Sequence, residues 1–595
     1  MSIDPRPARF ARPSPAALIG FALVAAARLL TLPESLWEWD EILFVKGIES
    51  YDPLHHQPHP PGYPLLIGLG KLLNFFLNDP FVSLVTLNVV CSLIGYAALV
   101  SAFRRLAAGD RAAVIGALLF HLSPSMLVYG PLALSDSPAL MFLSLALAAA
   151  ARLPEGGVPA ATALGVFASG AIGCRPQLAL AVLPMTAVAL VFARGLRPRL
   201  AALAAFTLTS LLWFVPLLVA VGGPDNFLPF LSKQAGLVAE FDTQHPRTGG
   251  SALWVATRFL SHPWGPRWTA LPVLALAAAG FVALVRRRQV RALPLAVLAG
   301  IDLTLGLLVM NPFDAVRYAL PSLLAVAFAA GVGCEALARR APAAAWLAAA
   351  LLVLGFCVYT APLLTARSTT PSPPVQAMEW AKREARYDAV FLVEDNLAAH
   401  ASYLLPFQRV PVAQGLQRYA LERTAPVYLL GNGESGWPDA RTFAWPDSDA
   451  YGKLSRGGLY RVVSISPLPL ERRFDALRGV HAWEPTAREA GYRWMEDNAA
   501  IRLVPRRPRL RVRLRLHPSA PWPSNTVVIA VAGSPAATLE IPRGEERSVE
   551  VSLPRADTVD VTFRSVRSFV PAETAAGTDR RRLAVQLVEI EQVGP

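Results

Sequence analysis

The sequence predicts a polytopic α-helical membrane protein of about eleven spans, followed by a small α/β domain and a β-sandwich domain. Three observations predict it. Apolar stretches long enough to cross a bilayer recur up to residue 362 and then stop. A Ser/Thr/Pro-rich run, 363–374, follows them. Beyond about residue 475 short alternating segments take over, most plainly at 509–516, where Arg and apolar residues alternate strictly. The composition agrees. Of 595 residues 53% are hydrophobic and only 17% charged, too apolar for an ordinary soluble chain.

The first apolar segment, 16–32, follows Arg6, Arg9 and Arg12. No small-residue cleavage site comes after it, so it reads as a retained helix with a cytoplasmic N-terminus. The further spans are 81–103, 112–130, 133–151, 158–174, 177–193, 200–221, 269–285, 292–310, 321–338 and 343–362. Segment 64–77 is shorter and carries Lys71, and the loop charges decide its place. With 64–77 lying at the interface, the clusters Arg104/Arg105/Arg111, Arg152, Arg194/Arg197/Arg199, Arg286/Arg287/Arg288/Arg291 and Arg339/Arg340 all fall on the N-terminal side. Counting it as a span inverts them all. The C-terminal domains are then expected outside. The net charge of +13 is thus in large part a topology signal, and no nucleic-acid partner is expected.

The expected division is a transmembrane domain at 1–362, with outer loops at 33–80 and 222–268. A linker at 363–374, an α/β domain at 375–470 and a β-sandwich at 475–595 follow. The α/β domain shows an amphipathic helix at 375–384 and strands at 389–393 and 427–430. The glycine-rich run 431–436 lacks Lys and a following helical pattern, so it reads as a turn and not a phosphate loop. Strands are expected at 526–532, 537–541, 547–553, 558–564 and 583–592, with turns at Arg543-Gly544 and Gly577-Thr578. Cys91, Cys174, Cys334 and Cys357 lie in or beside apolar segments and read as small core residues.

The chemistry concentrates in the stretch 37–66. Asp40 and Glu41 are adjacent, and like charge plus neighbouring tryptophans should raise a pKa there and tune one of them towards a base. Tyr51, His55, His56, His59 and Tyr63 share the stretch with a rigid proline run and read as substrate contacts. The histidine spacing matches no strong metal pattern. Asp136 opens a helix in an outer turn, as a second acid or a helix cap. Arg175 and Arg317 lie at outer span ends, against the charge trend of the chain, which a phosphate-bearing ligand would explain. Asp302 lies mid-span with no partner visible in the sequence.

These residues carry a resemblance. The outer Asp-Glu pair, His-Pro-Pro-Gly-Tyr-Pro-Leu, a span ending in Arg-Arg, and Leu-Ser-Asp-Ser-Pro-Ala-Leu look like the GT-C glycosyltransferases. Within them the chain is most similar to the family 39 branch of protein O-mannosyltransferases and aminoarabinose transferases. The resemblance covers about 1–360 and is strongest over 37–140. It implies that Asp40 is the catalytic carboxylate, with Glu41 beside it and Asp136 as the second acid. It implies that Arg175, Arg317 and Tyr318 face the phosphate of a polyprenyl-phosphate sugar donor. Arg493-Trp494-Met495, Ser568-Phe569-Val570-Pro571 and Asp579-Arg580-Arg581-Arg582-Leu583 resemble a jelly-roll module of bacterial envelope glycosyltransferases.

The function expected is therefore inverting sugar transfer from a polyprenyl-phosphate donor to an acceptor hydroxyl, with Asp40 as base. The expected location is the periplasmic face of a bacterial inner membrane. The acceptor stays open among lipid, glycan and protein, and so does a divalent cation. A lipid-linked sugar flippase or exporter, and a glycan-binding scaffold without turnover, are the other two readings. The first predicts a polar path through the spans, and the presence of both acids and both arginines speaks against the second.

Overall fold

A computed structural model describes residues 13–106, 109–239, 243, 251–337, 341–411, 425–435, 439–456, 458–484, 492–573 and 579–594. Arg6, Arg9, Arg12, Arg339, Arg340 and the turn Gly577-Thr578 lie outside them. The chain divides into two compact units. The first runs through Leu36, from Asp40 to Pro371, and again from Pro446 to Gly458. The second takes Trp37–Trp39, Ser372–Trp445 and Leu459–Pro595.

The first unit is helical: α1 (Pro15–Leu30), α2 (Trp39–Glu49), α3 (Pro64–Leu77), α4 (Pro80–Arg105), α5 (Asp110–His121), α6 (Pro124–Tyr129), α7 (Asp136–Cys174) and α8 (Ala179–Val191). After these come α9 (Leu196–Ala220), α10 (Pro224–Leu237), α11 (Ala252–Leu260), α12 (Arg267–Arg286), α13 (Leu293–Leu308), α14 (Ala315–Tyr318), α15 (Leu320–Leu337) and α16 (Pro342–Thr369). Among the described residues seven helices are long and apolar enough to cross a membrane. Helix α9 shows why. Leu203, Leu208, Leu212 and Val219 are all exposed, which is stable only against lipid. Helix α3 has 14 residues. At 1.5 Å per residue it measures about 21 Å, short of a hydrocarbon core of about 30 Å.

Two breaks organise the helices. The expected span 112–130 is interrupted between α5 and α6, where the Ser123 hydroxyl accepts the Met126 N–H and Pro124 donates nothing. The expected spans 133–151 and 158–174 are the arms of α7, which reverses at Gly157 (φ 52°, ψ −137°). That conformation is open to glycine and strained for other residues.

Buried polar side chains tie the unit together. Arg28 donates to Ser92 Oγ (3.1 Å) and the His121 carbonyl (2.9 Å). Arg367 donates to the Val128 (2.5 Å), Leu127 (3.3 Å) and Thr31 (3.1 Å) carbonyls, satisfying the end of α6. Asp302 has a partner after all: its Oδ2 accepts the Ser322 N–H (3.0 Å), satisfying a donor in the first turn of α15.

Two expectations need correction. The segment 222–268, expected as an outer loop, contains α10 and α11, which its mixed composition concealed. The linker 363–374 is helical to Thr369, because Leu363, Leu364, Ala366 and Arg367 are buried and extend α16.

In the second unit, α17 (Pro373–Glu384) is capped by Ser372, and Trp37 packs on Trp445 with ring centroids 5.5 Å apart. A five-stranded sheet has the order β2-β1-β3-β5-β4, from β1 (Val390–Val393), β2 (Gln408–Pro411), β3 (Val427–Asn432), β4 (Arg441–Ala444) and β5 (Val462–Pro467). Helix α18 (Ala398–Leu404) follows β1. Strands β1, β2 and β3 are parallel, and β5 runs antiparallel to β3 and β4. Gly431 and Asn432 end β3, so the turn expected at 431–436 begins only at Gly433 (φ 112°); Gly436 is outside the described residues.

The remaining strands are β6 (Asp475–Glu484), β7 (Tyr492–Leu503), β8 (Arg509–Arg515), β9 (Ser524–Val531), β10 (Ser534–Pro542), β11 (Glu546–Ser552), β12 (Val559–Ser565) and β13 (Val585–Val593). They form an eight-stranded sheet in the order β10-β9-β12-β7-β13-β8-β11, with β6 on β7. It curls until its end strands β10 and β11 approach each other, around a core that includes Met495, Val512, Ile529 and Phe563. The basic face of β8 is neutralised by its neighbours. Arg511 lies opposite Glu550 on β11 and Glu591 on β13, and Arg513 reaches Glu589 (2.5 Å). Opposite charges across strands explain the alternating arginines.

Candidate active site

The reversal at Gly157 brings the two ends of α7 together. Asp136 opens the helix and Arg175 follows its last residue. The two form an ion pair, with the Asp136 carboxylate fully buried. Helix α14 supplies Arg317, whose Nε donates to Asp136 Oδ2 (2.9 Å) and whose Nη1 donates to Asp40 Oδ2 (2.7 Å). Asp40 comes from the first turn of α2. The result is a chain of alternating charge, Arg175–Asp136–Arg317–Asp40, drawn from four distant positions. His59 Nδ1 lies 3.9 Å from Asp40 Oδ1 at its end, and His59 Nε2 lies 3.1 Å from the Tyr63 hydroxyl.

Of the two aspartates, Asp40 is the one within reach of a ligand. Its side chain is 27% exposed and that of Asp136 0%. The expectation of a raised pKa does not hold for Asp40. Burial does push its pKa up, but His59, Arg317 and Arg456 together outweigh burial and hold the carboxyl below the ordinary range. Arg317 is driven the other way: burial opposes its charge, but Asp40, by its charge and its hydrogen bond, keeps it firmly protonated. Burial and the repulsion of Arg317 bring Arg175 down to about 10, with Tyr63 and Tyr318 opposing.

Glu41 turns away from Asp40. It is fully buried, its Oε1 accepts the Ala133 N–H (2.8 Å), and the charge of Arg367 acts on it. Adjacent residues on a helix point about 100° apart, so the two acids serve different neighbours. The loop histidines divide likewise. His55 is exposed and pairs with Asp52 (2.7 Å), and His56 sits at φ 57°, while only His59 of the three lies against the acids. The Tyr51 hydroxyl is buried close to Gly62, within the same proline-rich loop. No group of three or more metal-ligating side chains is found among the described residues.

Residues with no sequence signal complete the surroundings. Arg258, on α11, donates to the Pro312 (2.9 Å) and Phe313 (3.1 Å) carbonyls and lies against the Trp254 and Phe313 rings. It braces the turn that leads into α14. Asp314, in that turn, pairs with Arg456 (3.0 Å).

Residues 58–219 match the family model described as dolichyl-phosphate-mannose-protein mannosyltransferase. ArnT from Cupriavidus metallidurans in the apo state is similar in structure. It has a TM-score of 0.50 at 14% identity, over 75% of this chain and 97% of ArnT. The chain has the GT-C glycosyltransferase fold. The oligosaccharyltransferase of Archaeoglobus fulgidus in its apo form aligns with TM-score 0.45 at 12% identity, over 93% of this chain and 96% of that one. The arabinofuranosyltransferase AftD from Mycobacteria aligns with TM-score 0.43 at 11% identity, over 97% and 58%. No curated protein matches the chain by sequence. Within the GT-C unit, the matched segment 58–219 contains Asp136 and Arg175, while Asp40 and Arg317 lie outside it.

Proposed function

We propose that this chain transfers a sugar from a polyprenyl-phosphate donor to an acceptor hydroxyl at the outer face of a bacterial inner membrane, with inversion. The observation that carries the reading is the chain Arg175–Asp136–Arg317–Asp40. One buried guanidinium, Arg175, and one half-buried, Arg317, beside one reachable carboxylate suit a reaction in which a phosphate leaves and a hydroxyl proton is taken. The name of the family matching 58–219 supports a lipid-phosphate sugar as donor.

In this reading the acceptor oxygen attacks the anomeric carbon and its proton passes to Asp40. The carbon–oxygen bond to phosphate breaks, and the electron pair leaves with polyprenyl phosphate. Arg175 and Arg317 offset the charge that grows there. The low pKa of Asp40 fits the resting state, in which Arg317 is its partner. A donor phosphate competes for that guanidinium, and as it draws Arg317 off, Asp40 becomes a better base. The base is thus unmasked only when a donor is present. Asp136, fully committed to two arginines, sets their positions. Glu41 shapes the 130–135 turn and touches no substrate. His59 and Tyr63 line the acceptor side of Asp40. Asp302, the acid a translocation path through the spans would use, is committed to Ser322.

The test is sugar transfer by membranes carrying wild-type or Asp40→Asn protein, given a panel of polyprenyl-phosphate sugars and crude envelope as acceptor. Release of free polyprenyl phosphate that depends on Asp40 is expected. Full activity of Asp40→Asn would sink the base assignment. Lipid translocation in liposomes without sugar transfer would reverse the class.

A further inference from the structure

Residues 446–458 lie between two stretches of the second unit but belong to the first. A short helix there, Asp449–Leu454, is capped by Ser448 and buries Ala450, Tyr451 and Leu454. It is anchored at both ends. The Tyr129 hydroxyl donates to the Leu454 carbonyl (2.7 Å) and the Tyr359 hydroxyl to the Asp449 carbonyl (3.3 Å). Lys453 is occupied by Asp449 (2.7 Å). What the segment delivers is Arg456, whose Nε lies 3.0 Å from Asp314 Oδ2. The Asp314 side chain is 12% exposed and that of Arg456 39%, so Asp314 is the enclosed member of the pair and Arg456 reaches it from a more open side.

Asp314 stands three residues before Arg317. The turn 312–314 that leads into α14 is held by Arg258, through the Pro312 and Phe313 carbonyls, and by Arg456, through Asp314. The charge of Arg456 also reaches Asp40. The charged groups at this corner include Asp40, Arg317, Asp314, Arg456 and Arg258.

We propose that Arg456 is a positioning residue of the donor-phosphate site. Through Asp314 it fixes the turn that aims Arg317, so that segment 446–458 is a working part of the GT-C unit and not a passive excursion of the chain. The proposal rests on the donor reading above and goes beyond it. No feature of the sequence around Ser455-Arg456-Gly457-Gly458 marks it, and neither the matched family segment nor the first 360 residues contain it.

The test uses full-length protein in detergent, titrated with undecaprenyl phosphate and assayed for transfer from whichever donor wild type accepts. Arg456→Ala is expected to bind undecaprenyl phosphate about tenfold more weakly and to lose kcat as well. Arg456→Lys, which keeps the charge, is expected to recover most of the binding. Asp314→Ala should match Arg456→Ala, and the double variant should be no worse than either single one, since both act through one contact. Equal binding and transfer by Arg456→Ala and wild type would overturn the proposal. So would an equal fall in the Ala and Lys variants together with a lowered Tm, which marks a merely structural pair. Absence of binding by wild type would instead overturn the donor reading itself.

Discussion

Asp136 opens the first arm of α7, Arg175 follows the last residue of its second arm, and the two form an ion pair. A straight helix of the 39 residues of α7 would be about 58 Å long. Gly157 abolishes that separation by reversing the chain at mid-helix. Two charges that must meet at one face of the unit are thus held by a residue at the opposite end of both arms.

Gly157 is accordingly a remote determinant of the site. A Cβ there meets no atom within 4 Å, so space is not the constraint. The constraint is backbone conformation, with φ 52° and ψ −137°. Gly157→Val is expected to cost about 1–3 kcal/mol of strain. Relaxation of that strain should re-aim the arms and loosen Arg175 from Asp136. The expected result is a lower Tm together with a fall in transfer. A Gly157→Val protein with wild-type Tm and activity would show that the reversal does not depend on glycine.

Arg317 touches both aspartates with different nitrogens. Lysine offers one point charge and cannot span the two. Arg317→Lys should therefore lose at least about tenfold in kcat/KM despite keeping its charge. Asp40→Asn should lose about 10²–10⁴-fold in kcat. Because Asp136 remains to hold Arg317, Asp40→Asn should fold normally. Steady-state kinetics beside a thermal melt checks both variants.

Glu41 should behave in the opposite way. Glu41→Ala leaves the buried Ala133 N–H without its acceptor, at a cost of about 1–3 kcal/mol. Glu41→Gln keeps a carbonyl oxygen for that donor and should melt closer to wild type. Neither should change kcat per folded molecule by as much as Asp40→Asn does. A kcat loss in Glu41→Gln rivalling that of Asp40→Asn, with an unchanged melt, would return Glu41 to the chemistry.

The sequence made some of this legible and hid the rest for physical reasons. Spans and strands are written in local periodicity, so α9, α12 and β8–β13 fall within a few residues of expectation. Asp40, Asp136, Arg175 and Arg317 stood out because charge at an apolar boundary is costly. Their order along the ion-pair chain is a long-range property that local pattern does not carry. The tryptophans expected to desolvate Asp40 illustrate the same limit: Trp37 is buried against Trp445, far along the chain. Arg258 and Arg367 escaped notice because each sits in a stretch that reads as loop or linker, and Arg456 because nothing in the sequence around it marks it. Their importance comes only from the backbone carbonyls and the acid that the fold brings to them.

Glu394, at the end of β1, offers a test in the second unit that is independent of the reaction. Its Oε2 accepts the Asn432 N–H (2.8 Å), and its side chain is nearly enclosed. Burial raises its pKa to about 7, the Asn432 hydrogen bond opposing and Asp395 assisting. Between its ordinary value of 4.5 and about 7 the folded protein then holds a proton that the unfolded chain has released. Stability contributed by this group is full below the lower value and falls as pH rises through the window. The whole effect is at most about 3 kcal/mol. Glu394→Gln cannot ionise and still presents an oxygen to Asn432. Its Tm should exceed that of wild type at pH 8 and converge with it towards pH 5. Parallel Tm profiles of the two proteins from pH 5 to 8 would show that Glu394 is already ionised in the fold.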